Sequence, residues 1–162
     1  MNKQSNLDSG FTLIELLVVI SIIGFLTTFA IFSFTVVRMS SRDAVRAGNV
    51  NTLRKALALY VNDNGFYPPS NGECLDADDV GAELRGNEVI VKIPSDPLWP
   101  TAVPSTFNGG ATHDYVSGAS SEFCYWYYGS SDGKYYYISY YLESNSKSGD
   151  AGIHVMTASG DQ

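Results

Sequence analysis

Apolar and polar positions fall into three patterns along the chain, and each predicts a different element. Residues 16–37, LLVVISIIGFLTTFAIFSFTVV, carry no charged side chain over 22 positions. As a helix rising 1.5 Å per residue this run spans about 33 Å, roughly the hydrocarbon core of a bilayer. It predicts one membrane-spanning helix. Beyond it the pattern becomes amphipathic, with Val50, Leu53, Leu57 and Tyr60 at spacings of three and four and Ala56 and Val61 flanking the same face. A single helix of about 52 residues, from Thr12 to Asp63, is therefore expected, about 78 Å long. Asn64-Gly65 stops it, and Pro68 and Pro69 prevent resumption.

Periodicity is lost over residues 65–122, which contain all six prolines and many Gly, Ser, Asn and Asp residues. Loops with at most short elements are predicted there, one of them over Ala82–Ile93 and ending at Pro94. From Phe123 the pattern turns to β. FCYWYYG and KYYYISYYLES are separated by Ser130-Ser131-Asp132-Gly133, in which Asp-Gly is a strong hairpin signal, and GIHVMTA (152–158) predicts a further strand. A small antiparallel sheet with one apolar face is marginal alone, so it is expected to pack on the amphipathic half of the helix, an α+β head. Alternation cannot bury every ring among Phe123, Tyr125, Trp126, Tyr127, Tyr128, Tyr135, Tyr136, Tyr137, Tyr140 and Tyr141. The surplus reads either as a subunit interface or adhesive surface, or as ordinary strand propensity with hydroxyls turned to water.

Length and composition narrow the picture. At 162 residues, 44% hydrophobic and 17% charged, the chain is too short for a large multidomain enzyme and too apolar to be disordered. The net charge of −7 and pI of about 4.6 argue against a nucleic-acid binder. Charge is also polarised. Residues 38–62 set five cations against Asp43, net +4, whereas residues 63–162 set four cations against fourteen carboxylates, net −10. Arg38, Arg42 and Arg46 line one helix face just past the apolar run, to meet either lipid phosphates or the acidic head of another subunit.

The N-terminus is not a cleavable secretory signal, because the apolar run exceeds the usual 7 to 15 residues and no A-x-A follows it. Glu15 sits at the edge of that run. A carboxylate at a helix centre in the bilayer costs roughly 2.5 to 3.5 kcal/mol, and less near an interface, so a partner for Glu15 is expected.

Gly10-Phe11-Thr12-Leu13-Ile14-Glu15-Leu16-Leu17-Val18-Val19-Ile20 resembles the processing site and N-terminal helix of type IV pilins and type II secretion pseudopilins. The resemblance implies cleavage by a prepilin peptidase between Gly10 and Phe11, N-methylation of Phe11, and a mature chain of 152 residues. It also implies that Glu15 neutralises the Phe11 amine of an adjacent subunit in a filament, supplying the missing partner. Paired, the two charges cost much less in an apolar bundle than they do alone. The alternative is a plain single-pass anchor with Glu15 among headgroups.

The layout that follows is a leader over 1–10, a transmembrane and filament-core helix over 11–37, a continuing helix over 38–64, and a globular head over 65–162. Assembly would take place on an inner-membrane platform with its ATPase, among copies of this chain and other pilins. The single-pass inner-membrane form would then pass into an extracellular or periplasmic filament. Two features depart from the family. The leader holds only Lys3 as a cation, and the cations instead follow the span, against the positive-inside rule, so orientation is implied by the resemblance. Ile31, Phe32 and Ser33 stand where many pilins carry a helix proline, leaving Gly24, Thr27 and Thr28 as weak points.

Two shorter strings extend the likeness. Residues 53–68, LRKALALYVNDNGFYP, and IPSDPLWP, with Asp96 and Trp99, are similar to segments of pseudopilin major subunits. That likeness allows calcium near Asp96 or Asp150; otherwise no cofactor is expected. Asp76, Asp78, Asp79 and Gly81 approach an EF-hand loop, but Val80 takes a ligand position and Asn87 stands where the bidentate Glu belongs. Cys74 and Cys124, both past the span, suggest a disulfide that closes a long loop and contributes about 4 kcal/mol in the chain-entropy model. Two free thiols are the alternative. His113 and His154 show no metal or catalytic spacing, so no enzyme is expected. The function expected is a structural subunit of a type IV pilus-like filament. The alternatives are a secretion pseudopilin and, from other classes, a membrane-anchored binding domain that never polymerises or an anchored hydrolase.

Overall fold

The computed structural model describes residues 11–75, 79–102 and 122–161. The chain divides into two compact units, Met1–Arg38 and Met39–Gln162. Helix α1, Leu13–Asn64, runs through 52 residues, one residue offset from the expected span. In the first unit the large apolar side chains described between Leu13 and Ile31 and between Phe34 and Val37 are exposed. Its hydroxyls are not left idle. Ser21, Thr27, Thr28 and Ser33 each donate to the carbonyl four residues earlier, at 2.7 to 3.2 Å, so the run hides its polar groups against its own backbone.

The second unit is an α+β head. After α1 come β1 (Ser70–Cys74), α2 (Asp79–Gly86), β2 (Trp126–Gly129), β3 (Tyr136–Leu142), β4 (Gly152–Thr157) and β5 (Gly160–Asp161). The five strands form one antiparallel sheet in the order β1-β2-β3-β4-β5. Period-two alternation sends Tyr136, Ile138, Tyr140 and Leu142 of β3 to one face, where they meet Tyr127, Met156 and the α1 residues Val50, Leu53, Leu57 and Tyr60 in a single core. The helix spacing read from the sequence is thus the face that the sheet covers. Each of those side chains gains about 1.5 to 3 kcal/mol by burial, which is what a small sheet lacks on its own. On the opposite face Phe123 and Tyr141 form a smaller cluster with Leu98 and Ile153.

The Asp-Gly hairpin is present between β2 and β3. Gly133 adopts φ +64°, and a Cβ there would lie 2.6 Å from Phe66 Cβ, so both backbone and packing require glycine. Ser130 is buried, and its Oγ accepts from the N–H groups of Lys134 and Tyr135. The surplus rings divide as alternation demands: Tyr128 and Tyr137 stack across the strands at 6.3 Å, half-buried, while Tyr135 is exposed.

One local expectation needs correction. The short element is not over Ala82–Ile93 but is α2, Asp79–Gly86, with Val80, Gly81 and Leu84 buried. Glu73 Oε1 accepts the Val80 N–H at 2.7 Å near its start, and Gly86-Asn87 ends it seven residues before Pro94. In the region expected to hold loops and short elements, Ser70–Cys74 forms an edge strand on β2, with a register shift between Ser70 and Glu73. Residues 76–78 and 103–121, which hold Asp76, Asp78 and His113, lie outside the described residues.

Candidate assembly site

Helix α1 begins with a T-x-x-E pattern, and its side chains close a reciprocal capping box. Thr12 N–H and Thr12 Oγ1 both donate to Glu15 Oε2, at 2.8 and 2.7 Å, and Glu15 N–H donates to Thr12 Oγ1 at 3.3 Å. Glu15 is therefore partnered within its own chain. Both bonds fall on one carboxylate oxygen, and among the described residues no donor reaches Oε1. Phe11, immediately before, is exposed. Gly10 lies outside the described residues. The capping box was legible in the sequence as Thr12 followed three residues later by Glu15, before an apolar run.

At the other end of the basic stripe the head holds its own arginines. Arg46 is fully buried with three carboxylates around it: Asp96, bidentate at 2.7 and 3.0 Å, Asp43 at 2.8 Å and Glu143 at 2.6 Å. Its guanidinium also lies 4.9 Å from the Phe123 ring centroid. Arg42 forks onto Glu143 at 2.7 and 2.5 Å. Asp43 then caps the end of β3, accepting from Glu143 N–H, Ser144 N–H and Ser144 Oγ at 2.7 to 3.0 Å. Two cations and three anions thereby clamp α1 to the Asp96 loop and to the end of β3.

Burial works against the Arg46 charge, yet its hydrogen bonds to Asp96 and Glu143 raise its pKa further above the usual range. For Glu143 burial likewise opposes ionisation, and the hydrogen bonds and charges of Arg42 and Arg46 outweigh it, so its pKa is lowered. The expectation that this arginine face meets lipid or a second subunit is therefore corrected for Arg42 and Arg46. The acidic head they meet is their own, because Asp96 and Glu143, distant in sequence, close on them.

Cys74 and Cys124 form a disulfide, with Cα atoms 5.7 Å apart and a sequence separation of 50. It ties β1 to the segment entering β2. Asp96 commits both carboxylate oxygens to Arg46 and to the Leu98 N–H. Asp150 is exposed, and its carbonyl oxygen lies 2.8 Å from His154 Nε2. Among the described residues no three His, Cys, Asp or Glu side chains are grouped to hold a metal ion.

A long apolar helix opening on this capped glutamate and continuing into a sheet-covered head is an α+β, pilin-like architecture. Residues 5–31 match the prokaryotic N-terminal methylation motif, the hallmark of the prepilin-type signal of type IV pilins and pseudopilins. The match ends inside the apolar run, so the head is known by its own structure. No solved structure matches the chain.

Proposed function

We propose that this chain is a structural subunit of a type IV pilus-like filament, cut by prepilin peptidase between Gly10 and Phe11, methylated on Phe11 and polymerised through its apolar helix. The observation that carries the reading is the methylation motif at the start of a helix that is long and apolar enough to cross a membrane and that no other described residue covers. Before assembly the bilayer covers that helix, and a single span holds the subunit in the inner membrane. In the filament, extracellular or periplasmic, helices of neighbouring copies replace the lipid.

Glu15 supports this exchange chemically. Its Oε2 is held by Thr12, which leaves Oε1 to take the Phe11 ammonium of the next subunit. Extraction from the bilayer is driven by the platform ATPase acting in trans. The disulfide and the Arg46 clamp hold the head together under load. The pseudopilin reading is the second one, favoured by the likeness of residues 53–68 and of IPSDPLWP, whose Asp96 is the anchor of the clamp.

Expression with and without a prepilin peptidase, followed by mass spectrometry of the N-terminal peptide, tests the proposal. A product beginning at methylated Phe11 only with the peptidase is expected. An intact leader beside an active peptidase would refute it and leave a membrane-anchored binding domain.

A further inference from the structure

Of the three arginines on one helix face, Arg42 and Arg46 are committed inside the head. Arg38 is different. It is exposed, it enters no ion pair among the described residues, and its guanidinium carbon lies 5.0 Å from the Phe34 ring centroid. A shallow open groove on this same exposed helix face leads up to it along Thr27, Ala30, Ile31, Phe34 and Thr35. From Thr27 to Arg38 the helix rises about 16 Å, half of a hydrocarbon core about 30 Å thick. The groove therefore runs the thickness of one leaflet, mainly apolar and cationic where headgroups begin.

We propose that this groove and Arg38 bind one anionic phospholipid in the leaflet at the C-terminal end of the span. An acyl chain lies along Ala30, Ile31 and Phe34, and the phosphate takes a forked pair of hydrogen bonds from the guanidinium, a geometry arginine is built to make. The ring of Phe34 holds the guanidinium over the groove and leaves its N–H edge for the phosphate. An anionic lipid is favoured over a zwitterionic one because the headgroup then brings no cation of its own to compete with Arg38. A carboxylate on a second copy is the rival occupant. The apolar groove beneath Arg38 suits a lipid tail and offers nothing to an acidic head. The proposal rests on the membrane-spanning reading of the helix and not on polymerisation.

The test uses the full chain in nanodiscs of phosphatidylcholine with a minority of phosphatidylglycerol, released gently for native mass spectrometry. Retention of one phosphatidylglycerol per chain, above its share in the bilayer, is expected. Arg38→Gln should lower that retention about fivefold and Arg38→Lys by less, since one cation near an anionic surface contributes about that factor. Lys134→Gln, an exposed cation in the head, should leave it unchanged. Equal retention of the two lipids, or full retention by Arg38→Gln, would overturn the proposal. Lower filament yield in Arg38→Gln with unchanged lipid retention would assign Arg38 to a second copy instead. Failure of filament assembly in every variant, with lipid retention still dependent on Arg38, would count only against the filament.

Discussion

Replacing Arg46 by methionine removes the one cation that three carboxylates share. Arg46 and Asp43 are fully buried and the side chain of Asp96 is 1% exposed, so water does not take over the lost contacts. Asp43 keeps its bonds from Glu143 and Ser144, but Asp96 is left with the Leu98 N–H alone. Removing one partner of a buried pair costs about 3 to 5 kcal/mol, because a charge stays behind without compensation. Arg42→Met is the internal comparison. That side chain is 28% exposed and its partner Glu143 retains Arg46, so a loss nearer 1 kcal/mol is expected. Urea unfolding of the full chain in detergent micelles, followed by tryptophan and tyrosine fluorescence, reads both. With a slope of about 1.5 kcal/mol per molar urea, Arg46→Met should lower the midpoint by about 2 to 3 M and Arg42→Met by less than 1 M. Adding Asp96→Leu to Arg46→Met should recover part of the loss, since an apolar pair leaves less charge uncompensated. Equal midpoints for the two single variants would refute the view that Arg46 clamps α1 to the head.

Acid should loosen the same clamp. The folded pKa of Glu143 is depressed, so its contribution is present above the unfolded value near 4.5 and is lost as pH falls through the folded one. The urea midpoint should drop below about pH 4.5, and Glu143→Gln should flatten that drop. At the alkaline end, burial together with a hydrogen bond to Glu83 pushes Tyr60 up to about 12, and burial pushes Tyr136 up to about 12. Their contribution is complete below pH 10 and is lost as pH rises towards 12; tyrosinate absorbance should therefore appear late and together with unfolding. Replacing both Cys74 and Cys124 by serine should cost about 4 kcal/mol in the chain-entropy model for a separation of 50, read from the same urea curve.

What could be read in the sequence follows from the range of each interaction. Helix α1 and its buried face were legible because Val50, Leu53, Leu57 and Tyr60 repeat locally and Asn64-Gly65 ends the run. The β2–β3 hairpin was legible from Asp132-Gly133 and its flanking aromatics. Ser70–Cys74 was not, since SNGEC has no alternation and becomes a strand through pairing with β2 and its cystine. Helix α2 lies earlier than Pro94 suggests, because Gly86-Asn87 already stops it. The motif around Glu15 is visible as a local string, and Thr12 three residues before Glu15 spells the capping box within it. The clamp was hidden for a different reason. Arg42, Asp43 and Arg46 are close in sequence, but their partners lie about 50 and 100 residues away, and only the folded sheet brings Asp96 and Glu143 to them.

Polymerisation through a helix whose glutamate meets the next subunit's amine leaves a product that can be seen. Electron microscopy of material sheared from cells that carry the chain and a filament-assembly machine, with peptide mass spectrometry of the same sample, tests it most directly. Filaments built of this chain beginning at Phe11 are expected, with a sharp loss of them in Glu15→Leu although that variant is still cut and still in the membrane. Abundant filaments from Glu15→Leu, or a cut wild-type chain that never leaves the membrane, would contradict it.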